Sequence, residues 1–107
     1  MIPSAEVREP QAAIWGFYPF RKEELLKEIE RCFLDQRWGP GDLPKAQRDV
    51  KVLGGVAPHA GYSYSGPCAA YFYKEVGESS EKPDTVVVIG TNHSGYGGDI
   101  TTTTQYR

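Results

Sequence analysis

Thr85-Val86-Val87-Val88-Ile89 is the stretch on which the fold reading turns. It is β-branched and apolar throughout, with no polar residue alternating along it. A strand of that kind is expected to be buried on both faces, as in a parallel sheet covered by helices. Upstream, Val50 to Ala57 carries Val50, Val52, Leu53 and Val56, broken by Gly54-Gly55 and ended by Pro58. It is expected to be a second strand. Between the two, Ser65-Gly66-Pro67 has the composition of a helix start, and Cys68, Phe72 and Val76 fall on one face as far as Gly77. Residues 50 to 90 therefore predict one strand–helix–strand unit with a right-handed crossover. The fold class expected is α/β, with a mainly parallel central sheet flanked by helices.

Working outward, Lys22 to about Asp35 reads as an amphipathic helix. Leu25, Ile29 and Phe33 lie four residues apart, Leu26 widens the stripe, and charges cover the other face. Trp38-Gly39-Pro40-Gly41-Asp42-Leu43-Pro44 is a turn-rich connection. Ala13 to Phe20, aromatic and apolar, is expected to be extended and packed on something larger. Asp99 to Thr104 is a polar, β-prone stretch that ends in four threonines. Helices and strands in this order are too few to cover both faces of a sheet. The expectation is one α/β domain over residues 1–107 that is incomplete, or a small subunit that completes its sheet with a partner.

Composition narrows the function. The chain has 107 residues, with 12 Lys+Arg against 14 Asp+Glu and a net charge of −2. That balance removes the electrostatic case for a nucleic-acid or polybasic membrane binder. No apolar run approaches the ~20 residues of a membrane span. Met1 to Glu6 lacks the pattern of a secretory signal. Cys32 and Cys68 follow no framework spacing, so a reduced, cytoplasmic setting is expected. Both are assigned to the core, since a cysteine on the apolar stripe of a helix is more often packing than nucleophile.

The chemistry-bearing residues are the two histidines, His59 and His93. Each lies just past the end of an expected strand. In open α/β sheets, ligands bind beyond the carboxyl ends of strands, and neighbouring strands are ~5 Å apart. The flanking residues, Ala57-Pro58-His59-Ala60-Gly61-Tyr62 and Gly90-Thr91-Asn92-His93-Ser94-Gly95, are small and rich in glycine. On spacing alone two readings stand: a shared metal or catalytic site, or two unrelated, hydrogen-bonded loop histidines. Neutral imidazole binds iron, copper and zinc. A catalytic metal usually takes three protein ligands. Asp84 lies at the wrong end of its strand, and Asp99 has nothing beyond its position in its favour. Tyr62 and Asn92 are the expected pocket residues. Neither GxxxxGK[ST] nor GxGxxG occurs, so no phosphate loop is read.

Gly55-Val56-Ala57-Pro58-His59-Ala60-Gly61-Tyr62-Ser63-Tyr64-Ser65-Gly66-Pro67-Cys68-Ala69-Ala70 and Val87-Val88-Ile89-Gly90-Thr91-Asn92-His93-Ser94-Gly95-Tyr96-Gly97 together resemble the Memo family. Arg8-Glu9-Pro10, Phe17-Tyr18-Pro19 and Gly39-Pro40-Gly41 are similar in order and spacing. The Pro58-His59-Ala60-Gly61-Tyr62 block is the specific one. Two departures are Ala13-Ile14-Trp15-Gly16, where the family has a small Ala-Gly-x stretch, and Thr91, where proline is frequent.

The resemblance implies an α/β fold shared with class III non-haem iron extradiol dioxygenases of the ring-cleaving LigB type. There, two histidines and a carboxylate hold Fe(II). In Memo-like proteins two histidines and a cysteine form the corresponding pocket, which binds iron or copper. The histidines map onto His59 and His93. The cysteine belongs to a C-terminal part of the family domain that this chain does not match, so the third ligand is expected outside it. A metal-dependent oxidoreductase or dioxygenase-like activity is one implied function, with this piece alone expected to be inactive. The alternative is a non-enzymatic adaptor that binds peptides, phosphotyrosine peptides included, in the same pocket. The expected ligand is therefore a small molecule or a peptide. Radical-SAM and AMMECR-type proteins are implied as partners by the family's gene neighbourhoods.

Overall fold

The computed structural model describes residues 7–97, 100 and 105–106. The stretch Met1 to Glu6, Asp99 and the threonines at 101–104 lie outside the described residues. The chain divides into two compact units, residues 11–82 and residues 1–10 with 83–107.

The first unit is helical. A short helix α1 spans Gln11–Ile14, its last two residues lying in the Ala13 to Phe20 stretch expected to be extended, and its Ala13 is buried. Helix α2 spans Lys22–Leu34, carrying Glu23 and Glu24 in its first turn and Arg31 in its last, as the helix dipole favours. Its periodicity places Leu25, Ile29 and Phe33 half-buried and Cys32 buried. Asp35 stops it: the carboxylate accepts the backbone N–H groups of Arg37 at 2.9 Å and Trp38 at 2.7 Å, which turns the chain out of the helix. Beyond the turn, Tyr71 donates to the Gly39 carbonyl at 2.8 Å.

Helix α3 spans Tyr62–Gly77 and packs on α2. It starts at Tyr62, upstream of the cap expected at Ser65 or Gly66, and Pro67 lies inside it. Proline disfavours a helical predecessor in part through a clash with that residue's Cβ. The predecessor here is Gly66, which has none, so that part of the penalty is absent. The buried face is Gly66, Pro67 and Ala70. Cys68, expected in the core, is exposed.

In the second unit, two-residue strands β1 (Val7–Arg8) and β2 (Gln105–Tyr106) pair in parallel, Val7 with Gln105 and Arg8 with Tyr106. This is the full extent of strand pairing among the described residues, and the expected central parallel sheet flanked by helices is not seen. Neither Val50 to Ala57 nor Thr85 to Ile89 forms a strand. A β-branched run signals fitness for a pleated, covered surface and not an intrinsic backbone state. A strand also needs a ladder partner. The Val86–Ile89 side chains are 70–93% exposed and Leu53 and Val56 are at least 90% exposed, the opposite of burial on both faces. Both segments have strand composition without a covering neighbour.

No helix among the described residues is long and apolar enough to cross a membrane.

Candidate functional site: an apolar groove beside His59

His59 sits in the short connection between Pro58 and the first turn of α3, and is exposed. Gly61 caps that helix with its backbone alone, its carbonyl accepting from the Tyr64 and Ser65 N–H groups. Two further hydrogen bonds hold the connection: the Tyr62 N–H donates to the Phe17 carbonyl at 3.0 Å, and Ser65 Oγ donates to the Ala60 carbonyl at 3.1 Å. A side chain at Gly61 would press on Phe17, with its Cβ 3.2 Å from the carbonyl oxygen. The α1–α2 connection and the start of α3 therefore meet backbone to backbone.

These elements enclose a groove of about 630 Å³. Its lining includes the polar side chains of His59 and Ser65 and the aliphatic and aromatic ones of Ile29, Phe33 and Tyr73. Tyr18 and Tyr62, also in the lining, stack with ring centroids 5.2 Å apart and planes 27° from parallel. Burial pushes the Tyr62 phenol above its ordinary range, with a smaller push from Tyr18, so it is a neutral donor at physiological pH. The Cys32 thiol, also in the lining, is likewise raised by burial, opposed by the neighbouring Arg31. It is a protonated, packed group and not an activated nucleophile. Among the described lining residues none is Lys or Arg. A smaller cavity of about 280 Å³ adjoins, lined by Trp15, Gly16 and Tyr64 among others.

Of the expected site residues, His59 and Tyr62 thus line one groove. Asn92 and His93 are neighbours in a loop of the other unit and both are exposed. The Asn92 side chain is engaged in building that loop. Its Oδ1 accepts from the Gly95 N–H at 2.9 Å and from Ser94 Oγ at 3.2 Å, and its Nδ2 donates to the Tyr96 carbonyl at 2.9 Å. Gly95 and Gly97 adopt φ of 76° and 83°, which explains glycine at both. Among the described residues, no group of three or more His, Cys, Asp and Glu side chains is arranged to hold a metal ion. The donor set present therefore does not by itself make a metal centre. Reasoning from the sequence missed Tyr18, Phe33 and Tyr73 as groove residues. The spacing of Phe33 and Tyr73 on their helices was a signal, but one that core packing explains equally well.

Comparison with known proteins fits this local pattern. The family model for Memo-like proteins matches residues 8–107. A MEMO1 family protein of Thermotoga neapolitana is 50% identical over 96 residues, covering 88% of this chain and 34% of the relative. One from Methanopyrus kandleri is 52% identical over 98 residues, covering 90% and 34%. One from Methanococcus maripaludis is 48% identical over 87 residues, covering 80% and 30%. No solved structure matches. The chain belongs to the Memo-like protein family. It spans about a third of the length of these curated relatives.

Proposed function

We propose that this chain supplies the histidine side of a ligand pocket in a Memo-like protein, with His59 and His93 as the imidazole ligands of an iron or copper ion. The observation that carries the reading is His59 in the lining of an apolar, tyrosine-containing groove, which sets an imidazole beside room for a small organic ligand. Tyr62 would orient that ligand as a phenol donor, and Asn92 would shape the loop that presents His93. Such an ion would supply open coordination positions for substrate and O₂, the setting for oxidoreductase or dioxygenase-like chemistry. Because no group of three or more His, Cys, Asp and Glu side chains among the described residues is arranged to hold an ion, the roles assigned to this chain are imidazole donation and ligand binding, and no redox step is assigned to it.

The alternative of peptide capture uses the same groove. Its described lining carries no Lys or Arg to pair a phosphate, which favours an apolar or aromatic side chain over a phosphorylated one. Radical-SAM and AMMECR-type partners remain part of the proposal through the family alone.

The test is an anaerobic titration of the 107-residue chain with Fe(II) and with Cu(I) by calorimetry, beside His59→Ala and His93→Ala. One-to-one binding lost in both variants supports the metal reading. Binding that survives both substitutions, or a folded chain that binds neither ion, overturns it for this chain.

A further inference from the structure

The smaller cavity, about 280 Å³, is lined from two stretches of backbone that are locked together. On one side, the Trp15 N–H donates to the Gln11 carbonyl at 3.0 Å and the Phe17 N–H to the Ala12 carbonyl at 2.9 Å, which fixes both residues to α1. Gly16 between them turns the chain at φ 84°, a conformation natural to glycine. On the other side, the Tyr64 N–H is tied to the Gly61 carbonyl in the first turn of α3. The Tyr62 N–H bridges the two sides by donating to the Phe17 carbonyl, where Gly61 packs closely. Backbone hydrogen bonds therefore place the cavity before any ligand arrives.

Three aromatic side chains line it: Trp15, Phe17 and Tyr64. The remaining lining is small, Ser63 being the largest of it. Asp, Glu, Lys and Arg are absent from the described lining. Trp15 and Tyr64 stand mostly in solvent, Tyr64 at 89% exposure. One exposed aromatic residue needs no explanation, but three around one cavity mark a contact surface.

The chemistry of this lining selects its ligand. An anion would need a cation or unengaged N–H donors. No Lys or Arg is present, and the Tyr62, Tyr64 and Ser65 N–H groups at the start of α3 are already engaged. A lysine ammonium or an arginine guanidinium would bring strongly directional N–H donors, against which the lining sets only the Ser63 and Tyr64 hydroxyls as side-chain acceptors. A quaternary ammonium group carries positive charge with no N–H donor to satisfy. Aromatic faces attract it through the ring quadrupole, tryptophan most strongly. The net charge of −2 acts in the same direction. The volume lies just below the ~300 Å³ at which ordinary small-molecule pockets begin, so it suits a headgroup whose remainder stays in solvent.

We propose that Trp15, Phe17 and Tyr64 form a binding site for the quaternary ammonium group of a small, soluble, choline-like molecule. The site adjoins the His59 groove, and the proposal stands independently of the metal reading.

The test titrates the 107-residue chain with choline and, separately, with 3,3-dimethyl-1-butanol, which has the same shape with carbon in place of the charged nitrogen. Binding is followed by NMR at the Trp15 indole N–H, assigned by difference because the chain has two tryptophans, and at the Gly61 amide. Choline is expected to shift both saturably and to leave the Trp38 indole unmoved. The neutral analogue is expected to bind about tenfold more weakly or worse. Read at Gly61, Trp15→Ala should weaken choline about fivefold and Tyr64→Ala about threefold, with the α2 amides unchanged as the check on folding. Should Trp15→Ala fail to fold, Tyr64→Ala carries the test. Equal affinity for choline and its neutral analogue overturns the proposal, since the cavity would then be an apolar cleft only. The absence of a saturable shift overturns it too, as does choline affinity unchanged in a folded variant. A peptide carrying trimethyllysine that binds about tenfold more tightly than choline would overturn the assignment to a small molecule and move the site to protein side chains.

Discussion

The sulfur of Cys32 occupies the space in which a side chain on Gly66 would stand, so α2 and α3 meet with a thiol on one side and bare backbone on the other. Overpacking at such a contact costs about 1–3 kcal/mol. Gly66→Ala is expected to be less stable by that amount in urea unfolding, despite the gain in helix propensity. Adding Cys32→Ala makes room for the new methyl, so the double variant loses less than the sum of the two single losses. Strictly additive losses would show that the two residues are not in contact.

The Glu78 side chain, 6% exposed, accepts the Lys45 backbone N–H at 2.9 Å, Arg48 Nε at 3.1 Å and Lys74 Nζ, and acid should dismantle this anchor. Lys74, followed by the Lys45 N–H group, holds the Glu78 carboxyl below the ordinary carboxylate range. A depressed folded value means that the stabilisation is present in full above the unfolded pKa of about 4.3 and is lost as pH falls through the lower, folded value. The wild-type advantage over Glu78→Gln in urea midpoint is therefore expected at pH 7 and absent near pH 2. An advantage that is the same at both pH values would place its origin outside the carboxylate.

The two thiols should separate kinetically. Cys68 is exposed, whereas Cys32 is buried and its thiol is raised by that burial. A thiol-reactive disulfide at pH 8 is expected to modify one equivalent quickly and a second only at the rate at which the α2–α3 contact opens. In Cys68→Ser the fast phase disappears. A fast phase that persists in that variant would place Cys32 at the surface.

Gly39 and Gly54 look alike in sequence and should behave differently. A Cβ at Gly39 would collide with the Cys32 carbonyl oxygen and stand 3.1 Å from that of Asp35, because the chain folds back over the last turn of α2. Nothing lies within 4 Å of a Cβ at Gly54. Gly39→Ala is expected to lower stability by about 1–3 kcal/mol, and Gly54→Ala to stay within about 0.5 kcal/mol of wild type. Thermal denaturation of the pair decides this, and equal melting temperatures would refute the fold-back contact.

What could be read in advance follows from how local each signal is. The α2 period of Leu25, Ile29 and Phe33 is self-contained, and the helix lies where that period puts it. The start of α3 was displaced because Pro67 was taken as a first-turn marker. One part of the cost of an internal proline, the clash with the preceding residue's Cβ, is absent at Gly66. Cys68 was assigned inward from the same misplaced frame. The sheet expectation failed for a different reason: Val86 to Ile89 states a demand for cover, and local sequence cannot say where that cover comes from. The family was legible in Pro58-His59-Ala60-Gly61-Tyr62, a contiguous block. The Glu78 anchor joins positions some thirty residues apart, and no spacing rule connects them.

The two tryptophans stand largely in water: Trp15 is 72% exposed beside the smaller cavity and Trp38 is 64% exposed under the Arg37 guanidinium, whose carbon lies 4.7 Å from the ring centroid. Their emission should already resemble that of a denatured chain, so fluorescence would be nearly blind to unfolding. It would be correspondingly sensitive to anything that settles over either indole. A blue shift on mixing would then signal a docking event directly, and the residue that shifts, identified by replacing one tryptophan at a time with phenylalanine, would mark the surface involved.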